Sequence, residues 1–299
     1  MMNVKKILGL VILAGIIGTG IFLTTANRPS QQNGSLKVTT TFYPLYEFSR
    51  AVAGDLATVT NITPAGAEPH DFEPSPQQLI AAQKSQVFIY NGASFEPWAE
   101  KFLPDYKNVA VKTSAGLPLI AMEDAQDPHF WLDPVLAQGT IDAIANGLIA
   151  AAPQHKDTFV KNATAYKARL AALDTDFTSG LATCQKHTIV ASHDAFSYIG
   201  KRYNFEIMAI TGISPDEEPS PAKLAEISQA VRQQGIGYIF FESLVSPRLA
   251  DTIATETGAK TAALDPIEGL SDEDQKQGKN YLSVQRQNLA ALRTALGCQ

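Results

Sequence analysis

Cysteine occurs twice, tryptophan twice and histidine five times in this 299-residue chain. Cys184 and Cys298 stand 114 positions apart, and no Cys-x-x-Cys spacing of the kind that marks a thiolate metal centre is present. His-Glu-x-x-His is also missing, and with it a common mark of a zinc hydrolase. Base is in short supply too: 24 Lys and Arg against 30 Asp and Glu leave a net charge of −6. Phosphate recognition rests on basic surface, so nucleic acid is excluded as an expected partner. No acidic residue precedes Glu47, and that absence is confined to one end of the chain.

The acid-free end opens with Lys5-Lys6 and an apolar run from Ile7 to about Leu23. A charged head before an apolar stretch is the pattern of an export signal. Thr24-Thr25-Ala26 supplies small residues for cleavage. The run also approaches the ~17–20 residues that span a bilayer, so a retained N-terminal anchor stands beside a removed signal. No cysteine follows it, which argues against lipid attachment there. Residues 27–34 (Asn, Arg, Pro, Ser, Gln, Gln, Asn, Gly) read as a polar tether. Either way the folded part is expected outside the cytoplasmic membrane, in the periplasm or at the cell surface. Without residues 1–26 it carries 22 basic and 30 acidic residues, a charge of −8 that favours approach of cations. In that compartment two cysteines most simply form one disulfide, and Cys184–Cys298 would pin the C-terminus.

What little histidine there is sits in a recurring context. Three of the five stand in loop-like punctuation beside carboxylates: Glu68-Pro69-His70-Asp71, Asp127-Pro128-His129-Phe130-Trp131-Leu132-Asp133-Pro134 and Ala191-Ser192-His193-Asp194. Leu264-Asp265-Pro266 adds a carboxylate in a similar setting. Imidazole nitrogen and carboxylate oxygen suit a borderline divalent cation such as zinc. The candidates are separated by 59, 64 and 72 residues, so only folding can assemble them. Asp71 and Asp194 read as caps or as partners of the histidines, Glu68 as an exposed loop acid, and Glu242 as a candidate to orient a ligand histidine. His155 and His187 read as solvated surface.

Around these loops short apolar strands alternate with helices, the pattern of an α/β protein with parallel sheets. Strands are predicted at 36–41, 59–62, 86–90, 109–111, 188–191, 205–210, 237–241 and 261–264. Ser75-Pro76-Gln77-Gln78, Ser220-Pro221 and Ser246-Pro247 are helix starts, with a capping serine before a first-turn proline. From Gln154 to about Thr183 there is no proline, and Phe159, Tyr166, Leu170, Leu173 and Phe177 recur at helical spacing. One helix of about 25 residues would reach ~38 Å. Two candidate ligands fall on each side of it. Ligands of parallel sheets gather at the carboxyl ends of strands, so the four loops predict a cleft between two lobes.

The same segments resemble the zinc/manganese-type solute-binding proteins of ABC metal importers, the ZnuA/TroA-like family. The resemblance rests on Val38-Thr39-Thr40-Thr41-Phe42-Tyr43-Pro44-Leu45, the His70 and His129 segments, Ser192-His193-Asp194-Ala195-Phe196 and Leu264-Asp265-Pro266-Ile267-Glu268-Gly269-Leu270, in order over residues 36–297. It implies an N-terminal lobe at 35–152, a linking helix at 153–183 and a C-terminal lobe at 184–299, after the segment 1–34. It implies one ion at the lobe interface, held by His70, His129, His193 and Asp265, and delivery to a membrane permease by a monomer that is not an enzyme. Ile120–Gln126, where zinc-type relatives often carry a histidine-rich loop, has no histidine. A histidine at the third position resembles the zinc type, and three nitrogens favour Zn2+ over Mn2+. Manganese remains the alternative ion, with Asp265 supplying both oxygens. A zinc hydrolase and a surface adhesin are the readings from other classes.

Overall fold

The computed structural model describes residues 35–122 and 125–299. The export signal, the anchor alternative and the tether all lie outside the described residues. The order of elements begins β1 (Leu36–Thr40), α1 (Tyr43–Ala53), β2 (Ala57–Asn61), α2 (Pro76–Gln83), β3 (Val87–Tyr90), α3 (Pro97–Phe102) and β4 (Val109–Lys112). Two long helices follow, α4 (Pro134–Ala151) and α5 (Lys156–Gly180). The second half runs β5 (Thr188–Ala191), α6 (Ser197–Tyr203), β6 (Glu206–Ala209), α7 (Pro221–Gln234), β7 (Tyr238–Phe241), α8 (Arg248–Thr257) and β8 (Lys260–Ala263). It closes with α9 (Asp272–Lys276) and α10 (Tyr281–Leu296).

Each half forms a four-stranded parallel sheet, in the order β2-β1-β3-β4 and then β6-β5-β7-β8. The register pairs Val38 with Val59 and Val87 in the first sheet, and Ile189 with Ile207 in the second. Helix starts follow their sequence signals. Ser75 accepts the Gln78 N–H while the Gln78 side chain accepts the Ser75 N–H, a reciprocal cap on α2. Ser220 caps α7 through the Lys223 N–H. The third signal is displaced by one residue, since α8 begins at Arg248 with Pro247 in the capping position.

Helix α5 is 25 residues long and buries Phe159, Ala163, Tyr166, Leu170, Leu173 and Phe177 along one stripe. That stripe belongs to a core cluster holding Val38, Phe48 and Val87 of the first half with Ile189, Phe196 and Leu264 of the second. The apolar interior is thus continuous through both sheets, and burial of that shared surface fixes their mutual orientation. Truncating Leu170 to Ala inside it would cost roughly 2–5 kcal/mol. Helix α10, which periodicity did not single out, packs into the same cluster through Tyr281, Leu282, Val284, Leu289, Leu292 and Leu296. Cys184 and Cys298 are joined as a disulfide across 114 residues, which ties the end of α10 to the segment before β5. No helix among the described residues is long and apolar enough to cross a membrane.

Candidate metal centre

Four loops leave the carboxyl ends of β2, β4, β5 and β8 and carry His70, His129, His193 and Glu268 to one point. The Nε2 atoms of His70 and His129 are 3.2 Å apart, and those of His129 and His193 are 3.3 Å apart. Glu268 Oε1 lies 3.2 Å from His70 Nε2 and 3.4 Å from the Nε2 atoms of His129 and His193. A tetrahedral ion with bonds of ~2.0–2.1 Å has ligand–ligand edges of about 3.3–3.4 Å. Five measured edges therefore match one small tetrahedral cation.

The second ring nitrogens explain why the Nε2 atoms can serve as ligands. His129 Nδ1 is 2.8 Å from Asp127 Oδ1, which also accepts the His129 N–H at 2.9 Å. His193 Nδ1 is 2.9 Å from Glu242 Oε1, and the Ser192 hydroxyl donates to the same oxygen at 2.6 Å. In the neutral ring a carboxylate at Nδ1 keeps the proton there and leaves the Nε2 lone pair facing inward for a cation. Lone pairs converging at such short range repel unless a cation or a shared proton lies between them. Aromatic rings complete the wall: Phe95 meets His70 edge-on at 4.7 Å, and Trp131 lies 5.2 Å from His129.

His129 and His193 are fully buried, and Glu268 is nearly so. Burial alone would raise the Glu268 carboxyl, but the His193 charge and hydrogen bonds from the three histidines hold it well below the usual carboxylate range. Burial would likewise lower His193, yet the charges of Glu268 and Glu242 and its bonds to them raise it to about 10. At His70 burial prevails over the Glu268 contact and the value falls.

A model of the family described as zinc-uptake complex component A, periplasmic (ZnuA), matches residues 38–295. The chain belongs to that family. It is 40% identical to the zinc-binding lipoprotein AdcA of Streptococcus pneumoniae (TIGR4) over 91% of its own length and 58% of that protein's. The chain thus spans little more than half the length of that relative. It is 35% identical to the high-affinity zinc uptake system protein ZnuA of Bacillus subtilis over 91% of both chains. The Zn(II)-bound ZnuA-like domain of S. pneumoniae AdcA superposes with a TM-score of 0.80 at 41% identity, covering 88% of this chain and 99% of that one.

Within this ZnuA-family chain the fourth member of the cluster is not the residue expected. Asp265 is not part of the cluster, and Glu268, three residues on, takes the place expected for it. The reason is local. Asp265 Oδ1 accepts the Ile267 N–H at 2.7 Å, and its Oδ2 accepts from the Ser243 hydroxyl. Asn288 clasps the Asp265 backbone on both sides, accepting its N–H at 2.9 Å and donating to its carbonyl at 2.7 Å. Both oxygens are thus spent on shaping a turn in which Ile267 takes φ +59°. A buried, β-branched residue in left-handed conformation is strained and persists only where its surroundings hold it. The turn it makes points Glu268 inward. The signal present in the sequence was the second carboxylate of Asp265-Pro266-Ile267-Glu268.

The remaining acids divide by role. Glu242, expected as an orienting group, is at hydrogen-bond distance from His193, and Asp127 plays the same part for His129. Glu68 accepts the His70 N–H, and burial with the nearby Glu268 charge pushes its carboxyl up to about 8. Glu68, Asp71 and Asp216 draw three carboxylates together beside the His70 loop. Asp194 accepts from the Ser197 hydroxyl at the start of α6.

Proposed function

We propose that this protein captures Zn2+ outside the cytoplasmic membrane and delivers it to an ABC permease for import. The ligands are His70, His129, His193 and Glu268. The observation that carries this reading is the tetrahedral spacing of one carboxylate oxygen and three imidazole nitrogens, two of them backed by carboxylates. A small, four-coordinate, nitrogen-rich set favours zinc over manganese, which takes more oxygen ligands and a larger coordination number. Four protein ligands also leave no open position for a reactive water, which separates the site from that of a zinc hydrolase. Membership of a periplasmic zinc-uptake family supports the extracytoplasmic location and a permease partner, in agreement with the export pattern of the first residues.

Binding replaces water around the ion with neutral imidazoles and a carboxylate, so protons and zinc compete for the same atoms. The test is metal analysis of the purified protein, with competitive titration of Zn2+ and Mn2+ against a chelator of known affinity. One zinc per chain, held far more tightly than manganese, is the expected result. Stoichiometric zinc retained at unchanged affinity by His129→Ala would refute the assignment.

A further inference from the structure

Tyr198 stands on α6, five residues after His193, and is 4% exposed. Its hydroxyl donates to the Asp127 carbonyl at 2.7 Å and accepts the Ile120 N–H at 3.0 Å. Asp127 is the residue whose carboxylate holds His129 at Nδ1. Ile120 and Asp127 also pair with each other, the Asp127 N–H donating to the Ile120 carbonyl at 2.9 Å. One hydroxyl from the second half therefore closes the base of a first-half loop that ends at a ligand. Four residues further along α6, Arg202 Nε reaches Asp133 Oδ1 at 2.6 Å, on the other side of His129.

We propose that Tyr198 is a positioning residue that sets how long zinc is retained, an inference that rests on the zinc-binding reading above. The helix that follows His193 grips the His129 loop through this hydroxyl before any ion arrives. The edge between the two Nε2 atoms, 3.3 Å, is thereby held near the value an ion requires. Ligands held in place without the ion lose little freedom on binding, and they separate slowly afterwards. Removing the hydroxyl leaves the buried Asp127 carbonyl and Ile120 N–H without their partner, and the loop gains freedom to carry His129 away. A lost hydrogen bond of this kind corresponds to about a tenfold change in rate.

The experiment is zinc dissociation into excess chelator, followed by stopped flow for the full-length wild type, Tyr198→Phe and Tyr203→Phe. Tyr203 is the control, since its hydroxyl lies on the same helix but donates to Asp174, away from the cluster. Tyr198→Phe should release zinc about tenfold faster, with association within about twofold, and should lower the melting temperature of the zinc-loaded protein more than that of the zinc-free protein. Tyr203→Phe should release zinc at the wild-type rate. Unchanged dissociation in Tyr198→Phe overturns the proposal, as does an equal loss of stability with and without zinc. The wild type supplies an independent readout through hydrogen exchange at the Ile120 amide. Protection in both the zinc-free and zinc-loaded protein supports a brace that precedes the ion; protection only with zinc overturns it. Failure of the underlying zinc reading would show separately, as absence of tight zinc binding in the wild type.

Discussion

His70 and His129 both come from the first half, yet they are held in opposite ways. The His129 loop is fastened to the second half along its length. Tyr198 holds Asp127, Trp131 Nε1 donates to the Pro266 carbonyl at 2.8 Å, and Tyr281 and Gln285 of α10 donate to the carbonyls of Trp131 and Leu132. The His70 loop has one backbone hydrogen bond to the second half, from the Gly66 N–H to the Leu270 carbonyl at 3.2 Å. Among the described residues the His70 ring forms polar contacts through Nε2 alone, whereas His129 is gripped at both nitrogens. The His70 side chain is also 7% exposed and that of His129 not at all. His129, His193 and Glu268 thus form a seat that the fold builds, and His70 closes over it.

The most severe way to break that comparison is to remove a member of the seat. His129→Ala should weaken zinc binding by on the order of 10^3 or more, since it removes a proposed ligand and leaves the buried Asp127 without its imidazole partner. Competition calorimetry would measure it, alongside a melting curve of the zinc-free variant. His70→Ala should lose less, by roughly an order of magnitude relative to His129→Ala, because three ligands in the seat still converge. Equal losses would mean that the two loops are equivalent. Next in size is Asp127→Asn, expected to cost about 10- to 100-fold in affinity through the misoriented imidazole. Glu68→Gln, which keeps an acceptor for the His70 N–H, should cost less than about threefold by the same measurement.

Protons probe the same contrast. With the zinc-free His193 raised to about 10, its proton is present at neutral pH and must leave when zinc binds. Apparent affinity should therefore rise with pH, about tenfold per unit for each proton displaced, and fall on acidification. Calorimetry at pH 7 in buffers of different ionisation enthalpy should report proton release to the buffer; a buffer-independent heat would contradict it. The smallest effect on zinc belongs to the disulfide. Replacing Cys184 and Cys298 with serine opens a 114-residue closure worth roughly 2–5 kcal/mol of fold stability. Zinc affinity should stay within about twofold, because the bridge lies at the end of α10, away from the ligand loops.

Much of this was legible in the order of residues. Alternating strands and capped helices, the long α5 stripe and three ligand loops all follow from local patterns, and local patterns need no knowledge of the fold. Helix α10 escaped because its start is an asparagine, Asn280, with Ser283 completing the reciprocal cap, and no proline marks it. The proposed fourth ligand, Glu268, escaped for a different reason. Asp265 and Glu268 are chemically equivalent candidates three residues apart, and periodicity does not extend into a turn.

The sequence by itself determined which donor atoms are available, that three of them lie in strand-end loops, and that the set is rich in nitrogen. The tertiary structure alone decided which carboxylate completes the set. Asn288 from α10 and Ser243 after β7 engage Asp265, the turn at Ile267 swings Glu268 inward, and none of these partners is near in sequence. It also decided that the His129 loop belongs mechanically to the second half. The hydrogen bonds that fasten it come from residues 71 to 153 positions away, brought close only when the two sheets bury their common core.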